Sequence, residues 1–170
     1  HGGFEREMLR DKALTAPTSY ECQDGSIGTS GGVRGKENTR LKFPQVSADL
    51  SVRWCSAYLK IDVAAMALNG DSALKNSRIL FVTGERRQES TARAKYAEVE
   101  EHRAHNKRRR VDQWRAVIDW SEQDVWAIIK RWRIMPHPAY RLGWGRVSCF
   151  ACIFGLPDQC FMALQIVFLD

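Results

Sequence analysis

The sequence predicts an α/β domain built around a parallel sheet, and two stretches carry that prediction. Arg78-Ile-Leu-Phe-Val-Thr-Gly84 is a short apolar run with a terminal glycine, the pattern of a buried parallel strand that ends at a ligand crevice. Trp114-Arg-Ala-Val-Ile-Asp-Trp120 is a second strand candidate, and Ser121-Glu-Gln-Asp124 behind it has the spacing of a capping box that opens a helix. A chain of 170 residues with 44% hydrophobic content is long enough for one such domain, 1–170, and too short for two.

The remaining elements follow in order. Phe4, Met8, Leu9 and Ala13 recur at near-helical spacing before Pro17, which predicts a short helix over 4–14. From Tyr20 to Lys42 the chain holds Gly25, Gly28, Gly31, Gly32 and Gly35 among serines and threonines without periodicity, which predicts a long loop. Apolar positions 54, 58, 61, 65 and 68 predict a helix over 51–68, stopped by a left-handed Asn69-Gly70. The strand at 78–84 is expected to lead into a helix over 90–103, and the capped helix after Trp120 to run to about Arg133. Pro136 and Pro138 predict extended backbone, Gly143 and Gly145 a loop, and Cys149 opens the final stretch.

Composition narrows the function classes. No run of about 18 apolar residues is present and the amino terminus has no basic flank before an apolar stretch, so a cytoplasmic protein with no membrane partner is expected. His1 in place of Met, and the uncapped apolar run Phe161–Leu169, predict an internal piece of a longer chain. Five cysteines with one Cys-x-x-Cys pair fit thiols kept reduced for chemistry or metal and not a disulfide scaffold. The formal charge is +6, and Arg93, Lys95, Arg103, Lys107, Arg108, Arg109, Arg110 and Arg115 concentrate basic charge in one window with His102 and His105.

Three constellations can carry chemistry. In Val82-Thr-Gly-Glu-Arg-Arg-Gln-Glu-Ser90 a strand ends in Gly84, which permits close backbone approach, and Arg86 and Arg87 offer forked donors to phosphate or sulfate beside an expected helix start. The bland alternative is an ordinary strand-to-helix turn with solvated arginines. Cys149-Phe-Ala-Cys152 with Cys55 and Cys160 offers four soft ligands for zinc or an iron–sulfur cluster, against the alternative of buried, unligated thiols for Cys55 and Cys160. Its place near the carboxyl end ranks metal above a thioredoxin-like redox pair. The basic stretch 103–115 can meet a phosphate backbone, close over a nucleotide as a loop, or simply be solvated, and Trp114 is its one interleaved aromatic. Thr29-Ser-Gly-Gly-Val-Arg-Gly-Lys36 imitates a phosphate loop, but Glu37 follows the lysine and no strand is expected before it.

Arg53-Trp-Cys-Ser-Ala-Tyr-Leu-Lys60, Gly84-Glu-Arg-Arg-Gln-Glu-Ser90, Ile118-Asp-Trp-Ser-Glu-Gln-Asp-Val-Trp126, Pro136-His-Pro-Ala-Tyr140 and Cys149-Phe-Ala-Cys152, in that order, resemble the phosphoadenosine-phosphosulfate reductase family over residues 44–157. The resemblance implies an adenine nucleotide alpha-hydrolase-like fold of the PP-loop, Rossmann-like type, truncated at both ends. The family's Ser-Gly-Gly-x-Asp-Ser loop is absent, with Arg34 where the acidic residue belongs, and so is its Glu-Cys-Gly-x-His segment, whose cysteine attacks sulfur in true reductases. It assigns the phosphosulfate end of an adenine sulfonucleotide, or of ATP, to Arg53, Lys60, Gly84 and Arg86 or Arg87, and a packing role to Trp120, Val125 and Trp126.

The Cys-x-x-Cys pair is similar to the cluster-bearing branches, which implies a 4Fe-4S cluster on Cys55, Cys149, Cys152 and Cys160, with zinc as the alternative. Three functions follow. The first is binding of an adenylylated or phosphosulfate nucleotide for sulfur activation, reduction or transfer, with a cysteine desulfurase or thiol reductant as partner. The second is sulfur delivery to DNA or tRNA through 103–115, as in the DNA-phosphorothioation relatives. The third is a non-catalytic fold fragment with a structural metal.

Overall fold

The computed structural model describes residues 3–34, 36–149 and 152–158. Cys160 and the apolar run Phe161–Leu169 lie outside the described residues. The chain forms two compact units, His1–Asp119 and Trp120–Asp170.

The first unit opens with α1 (Gly3–Met8), shorter than the 4–14 helix that periodicity predicts. The buried Arg10 is the reason: its guanidinium donates to the Ala13 and Asn38 carbonyls and pairs with Glu7, so the chain past Met8 is held by side-chain bonds instead of a helical ladder.

The expected long loop contains a β-hairpin, β1 (Thr18–Glu21) and β2 (Ile27–Ser30). Its turn is closed by Cys22 N–H to Ser26 carbonyl at 2.8 Å, by Gly25 at φ +79°, and by the Asp24 carboxylate, which accepts from the Ser26 hydroxyl and N–H. Those bonds hold the Asp24 carboxyl below the ordinary carboxylate range. β2 therefore does precede the Ser30-Gly31-Gly32 turn, contrary to expectation, but as an antiparallel hairpin arm. A side chain at Gly32 (φ +75°) would meet Pro17 at 2.5 Å, so this glycine serves packing.

A continuous helical stretch follows: α2 (Trp54–Ser56), a π-helical segment (Ala57–Ile61) and α3 (Asp62–Gly70). The stretch starts three residues later than predicted, and its end is not a left-handed glycine, since Asp71 leaves it with extended backbone. Gly70 is needed for another reason: the Tyr20 ring of β1 occupies the space where its Cβ would stand.

β3 (Arg78–Thr83) pairs in parallel with β5 (Arg110–Arg115), and β4 (Val99–Glu101) lies antiparallel on the far side of β5, in the order β3-β5-β4. The core sits on one face, where Leu68 of α3 meets Ala104 and the fully buried Val111, with Leu74, Ile79 and Phe81 packed around them. On the other face Leu80 and Val82 are 58% and 54% exposed, so β3 is not the doubly buried strand that its apolar run predicts.

Two further expectations are corrected. The helix over 90–103 does not form; two short 3₁₀ turns (Arg87–Glu89 and Arg93–Lys95) lead into β4. The Arg87 guanidinium takes the Ala94 and Tyr96 carbonyls that a helix would use in its own ladder. The second strand is Arg110–Arg115 instead of 114–120, because Val111, Gln113 and Arg115 alternate inward while residues 115–118 turn through an Ile118 N–H to Arg115 carbonyl bond.

His102 sits under the sheet against the Phe81 ring, 7% exposed, and its Nδ1 accepts from the Ala104 N–H. Burial pushes its pKa down, helped by the Arg103 and Arg115 charges and opposed by Glu100 and Glu85. A proton on Nδ1 would also face a donor. As pH falls below the unfolded value of about 6.5, the unfolded chain takes the proton first, so stability present above that pH is lost toward the depressed folded value. The urea midpoint should drop on acidification through this range and drop less in His102→Gln. Equal pH dependence of parent and variant would refute the assignment.

In the second unit α4 (Glu122–Arg131) carries the predicted capping box in full: Asp124 N–H donates to the Ser121 hydroxyl, and Ser121 N–H donates to the Asp124 carboxylate. The helix ends two residues before Arg133. Trp126 meets Tyr140 edge-on at 5.0 Å. Pro138 opens a short turn (Pro138–Leu142) whose first N–H groups are met by His137 Nδ1 accepting from Ala139, in place of a fully extended segment.

Candidate functional site

The strongest local arrangement lies where β3 ends. Gly84 leaves the strand with open space at its Cβ position, and Glu85 turns back beneath it. The Glu85 carboxylate accepts from the Thr83 hydroxyl at 2.7 Å, from the Gln113 amide at 3.3 Å and from Arg115 Nε at 3.0 Å. Arg115 is 4% exposed and is the hub: it also donates to the Ala97 carbonyl at 2.7 Å and to Glu100, and it lies over the Tyr96 ring. Burial alone would lower its pKa, but Glu100 and Glu85 outweigh that and hold it above the ordinary arginine value.

The two arginines of the loop play different parts. Arg87 Nε donates to Asp119 at 2.6 Å while the same guanidinium holds the Ala94 and Tyr96 carbonyls, so it straps the loop down. Among the described residues, Arg86 meets side chains of its own loop, Gln88 at 3.0 Å and Glu89 at 3.6 Å. Glu89 also pairs with Arg93. Arg86 can therefore exchange its local partners for an anion without dismantling the loop. The helix start that sequence placed here is absent, so the loop offers side chains and no helix terminus to an anion.

Arg53 and Lys60 sit on a separate element. Arg53 precedes α2, and its carbonyl accepts from Ser56 N–H at 3.1 Å; Lys60 is exposed on the π-helical segment, a backbone form often found at functional sites. Between them the buried Trp54 fixes the stretch. Cys55, next to Trp54, is half-buried in the first unit.

The other predicted metal ligands belong to the second unit or fall outside the described residues. Cys149 is exposed and Cys152 half-buried in the second unit, and Cys160 is outside the described residues. Among the described residues no three His, Cys, Asp or Glu side chains converge as a metal site, so the four cysteines are not shown as a ligand set. Also among the described residues, no helix is long and apolar enough to cross a membrane.

Sequence reasoning missed Thr83, Glu85, Gln113, Arg115 and Asp119. For Gln113 and Arg115 the signal was only polar residues at alternate positions of β5, a pattern that reads as surface unless the strand is known to be covered.

A parallel strand pair with an arginine-bearing loop at its carboxyl end defines an α/β domain of the adenine nucleotide alpha-hydrolase-like kind. The model of the phosphoadenosine phosphosulfate reductase domain matches residues 34–154, and the chain belongs to that family. It is 34% identical over 112 residues to a protein described as an uncharacterized 37.8 kDa protein in the gpa 5′ region of Escherichia phage 186, covering 66% of this chain and 32% of the phage protein. It is 33% identical over 72 residues to the adenosine 5′-phosphosulfate reductase of Burkholderia cepacia, covering 42% and 27%, and 30% identical over 98 residues to that of Allochromatium vinosum, covering 58% and 34%. The chain thus spans about a third of the length of these relatives. No solved structure matches it significantly.

Proposed function

We propose that this domain binds an adenine sulfonucleotide, with adenosine 5′-phosphosulfate the first candidate and ATP the competitor, at the carboxyl end of β3. The observation that carries the reading is the Gly84–Arg87 loop, braced by Arg115 and Arg87 so that Arg86 is left with exchangeable partners. The match to proteins named adenosine 5′-phosphosulfate reductase supports the choice of nucleotide. In this reading Arg86 grips the phosphosulfate oxygens, Gly84 admits the ligand close to the backbone, and Arg53 and Lys60 add positive charge from the α2 and π-helical stretch. The role is sulfur activation, reduction or transfer in the cytoplasm. Cys149 and Cys152 remain the pair proposed for an iron–sulfur cluster or zinc, with Cys55 and Cys160; metal and sulfide analysis of anaerobically purified protein tests that separately.

Calorimetry with adenosine 5′-phosphosulfate tests the site. Arg86→Ala is expected to weaken binding by about 2 kcal/mol, since charge-assisted hydrogen bonds are each worth roughly 1.5–3 kcal/mol. Arg86→Ala with Arg87→Ala should weaken it further and also loosen the loop, seen as faster amide exchange over 87–96. Unchanged affinity in a folded Arg86→Ala protein would remove the loop from the site.

A further inference from the structure

The densest part of the basic window does not lie where a nucleotide lid would. Residues 103–110 join β4 to β5 at the amino-terminal end of the parallel strands, opposite the Gly84–Arg87 loop. With six residues in β3 and a rise of about 3.3 Å per residue, the two ends are roughly 17–20 Å apart. Arg115, the internal hub, and Arg93, which pairs with Glu89, belong to the nucleotide end. Arg103 and residues 107–110 form a separate pole.

That pole is built, not frayed. Asn106 and Arg109 bridge across the turn, and the Asn106 side chain donates to Asn69 at 3.0 Å and accepts from Arg108 N–H at 2.9 Å. Asn76 N–H donates to the Arg108 carbonyl at 2.7 Å and Arg110 N–H to the Ser77 carbonyl at 3.1 Å, which brings the segment before β3 alongside. Lys75, Arg78, Lys107 and Arg108 are therefore exposed together, and among the described residues none has a carboxylate within ion-pair distance. Arg103 and Arg110 are exposed there too, paired with Asp62 and Asp112. Beneath them Arg109 is 7% exposed, gives one bond to the Asn69 carbonyl, and has no described hydrogen-bond partner at Nε or Nη1. A buried cation under four uncompensated surface cations concentrates positive potential at this end.

We propose that this pole docks the phosphate backbone of a double-stranded nucleic acid. The segments 75–78 and 106–110 contain only Lys, Arg, Asn and Ser, so they offer neither the apolar centre of a protein interface nor an aromatic platform for unstacked bases. What they offer is closely spaced cations and amide donors, which suit phosphates without reading sequence. The surface is independent of the proposed nucleotide site.

Fluorescence anisotropy with short DNA and RNA duplexes, the corresponding single strand and a polyglutamate peptide, from about 50 to about 200 mM salt, tests it. Either duplex should bind with log K falling linearly against log salt, and the tighter of the two names the helix. Lys107→Ala with Arg108→Ala should lower that slope by about two and weaken low-salt binding at least roughly tenfold, with circular dichroism and nucleotide calorimetry unchanged. No duplex binding at low salt, an unaltered slope in the variant, tighter binding of the single strand, or polyglutamate bound as tightly as duplex would each overturn the proposal.

Discussion

Trp54→Ala is expected to cost about 3 to 5 kcal/mol of stability in the first unit, the range for removing a large buried aromatic. Trp54 is 2% exposed and joins three separate pieces of chain. Its ring stacks on Phe4 of α1 at 5.1 Å, Phe4 meets Phe43 edge-on at 5.5 Å, Arg40 lies 4.8 Å above the ring, and Nε1 donates to the Lys42 carbonyl at 3.1 Å. Alanine leaves a cavity, an unmet carbonyl and α1 without its main contact. Because Arg53 adjoins Trp54, the sulfonucleotide affinity proposed above should fall with stability. Trp54→Phe keeps the stacking and loses the indole donor, so a cost of about 1 to 2 kcal/mol is expected. Urea denaturation followed by circular dichroism measures both, and a loss below about 1 kcal/mol for alanine would show that the site collapses around the gap instead.

Arg115→Ala is expected to lower stability by about 2 to 3 kcal/mol and to loosen the Gly84–Arg87 loop. The figure stays below that for a fully buried pair because the Glu85 and Glu100 side chains are 30% and 46% exposed and can draw on water once the cation is gone. Lysine should rescue only part of the loss, since a single ammonium cannot serve Glu85, Glu100 and the Ala97 carbonyl while covering the Tyr96 ring. A double-mutant cycle with Glu85→Gln should give a coupling of about 1 kcal/mol or more. Additive effects would mean that Glu85 is not braced by Arg115. Full rescue by lysine would mean that charge alone matters.

Several features were legible from residues alone because they depend on local chemistry. The Ser121–Asp124 capping box closes within one helical turn, and the helix behind it formed as its spacing predicts. The apolar run at 78–83 became a strand at the predicted place, and Tyr58 and Leu68 share a helical stretch as their periodicity requires. The motif order from Arg53 to Cys152 was sufficient to predict the family that the comparison shows.

Three of the failures share one reason, that a charged side chain took over backbone groups or core positions from a distance. Arg10 ended α1 by reaching Asn38, and Arg87 dissolved the 90–103 helix by binding Ala94, Tyr96 and Asp119. In β5 the inward positions after Val111 are Gln113 and Arg115, which hydropathy assigns to solvent. Their burial is tolerable only because Thr83, Glu85, Ala97 and Glu100 arrive from other strands and loops to meet them.

The sequence by itself determined the α/β class, the family, the capped helix and the arginine-bearing turn after β3, all of which are written in short-range pattern and motif order. Only the tertiary structure decided that Arg87 is a strap and Arg86 the exchangeable cation, that Arg115 belongs to the interior, and that the basic turn stands at the opposite end of the sheet. Those outcomes depend on which distant carboxylates and carbonyls come within hydrogen-bonding reach, a matter of chain topology that no local spacing encodes.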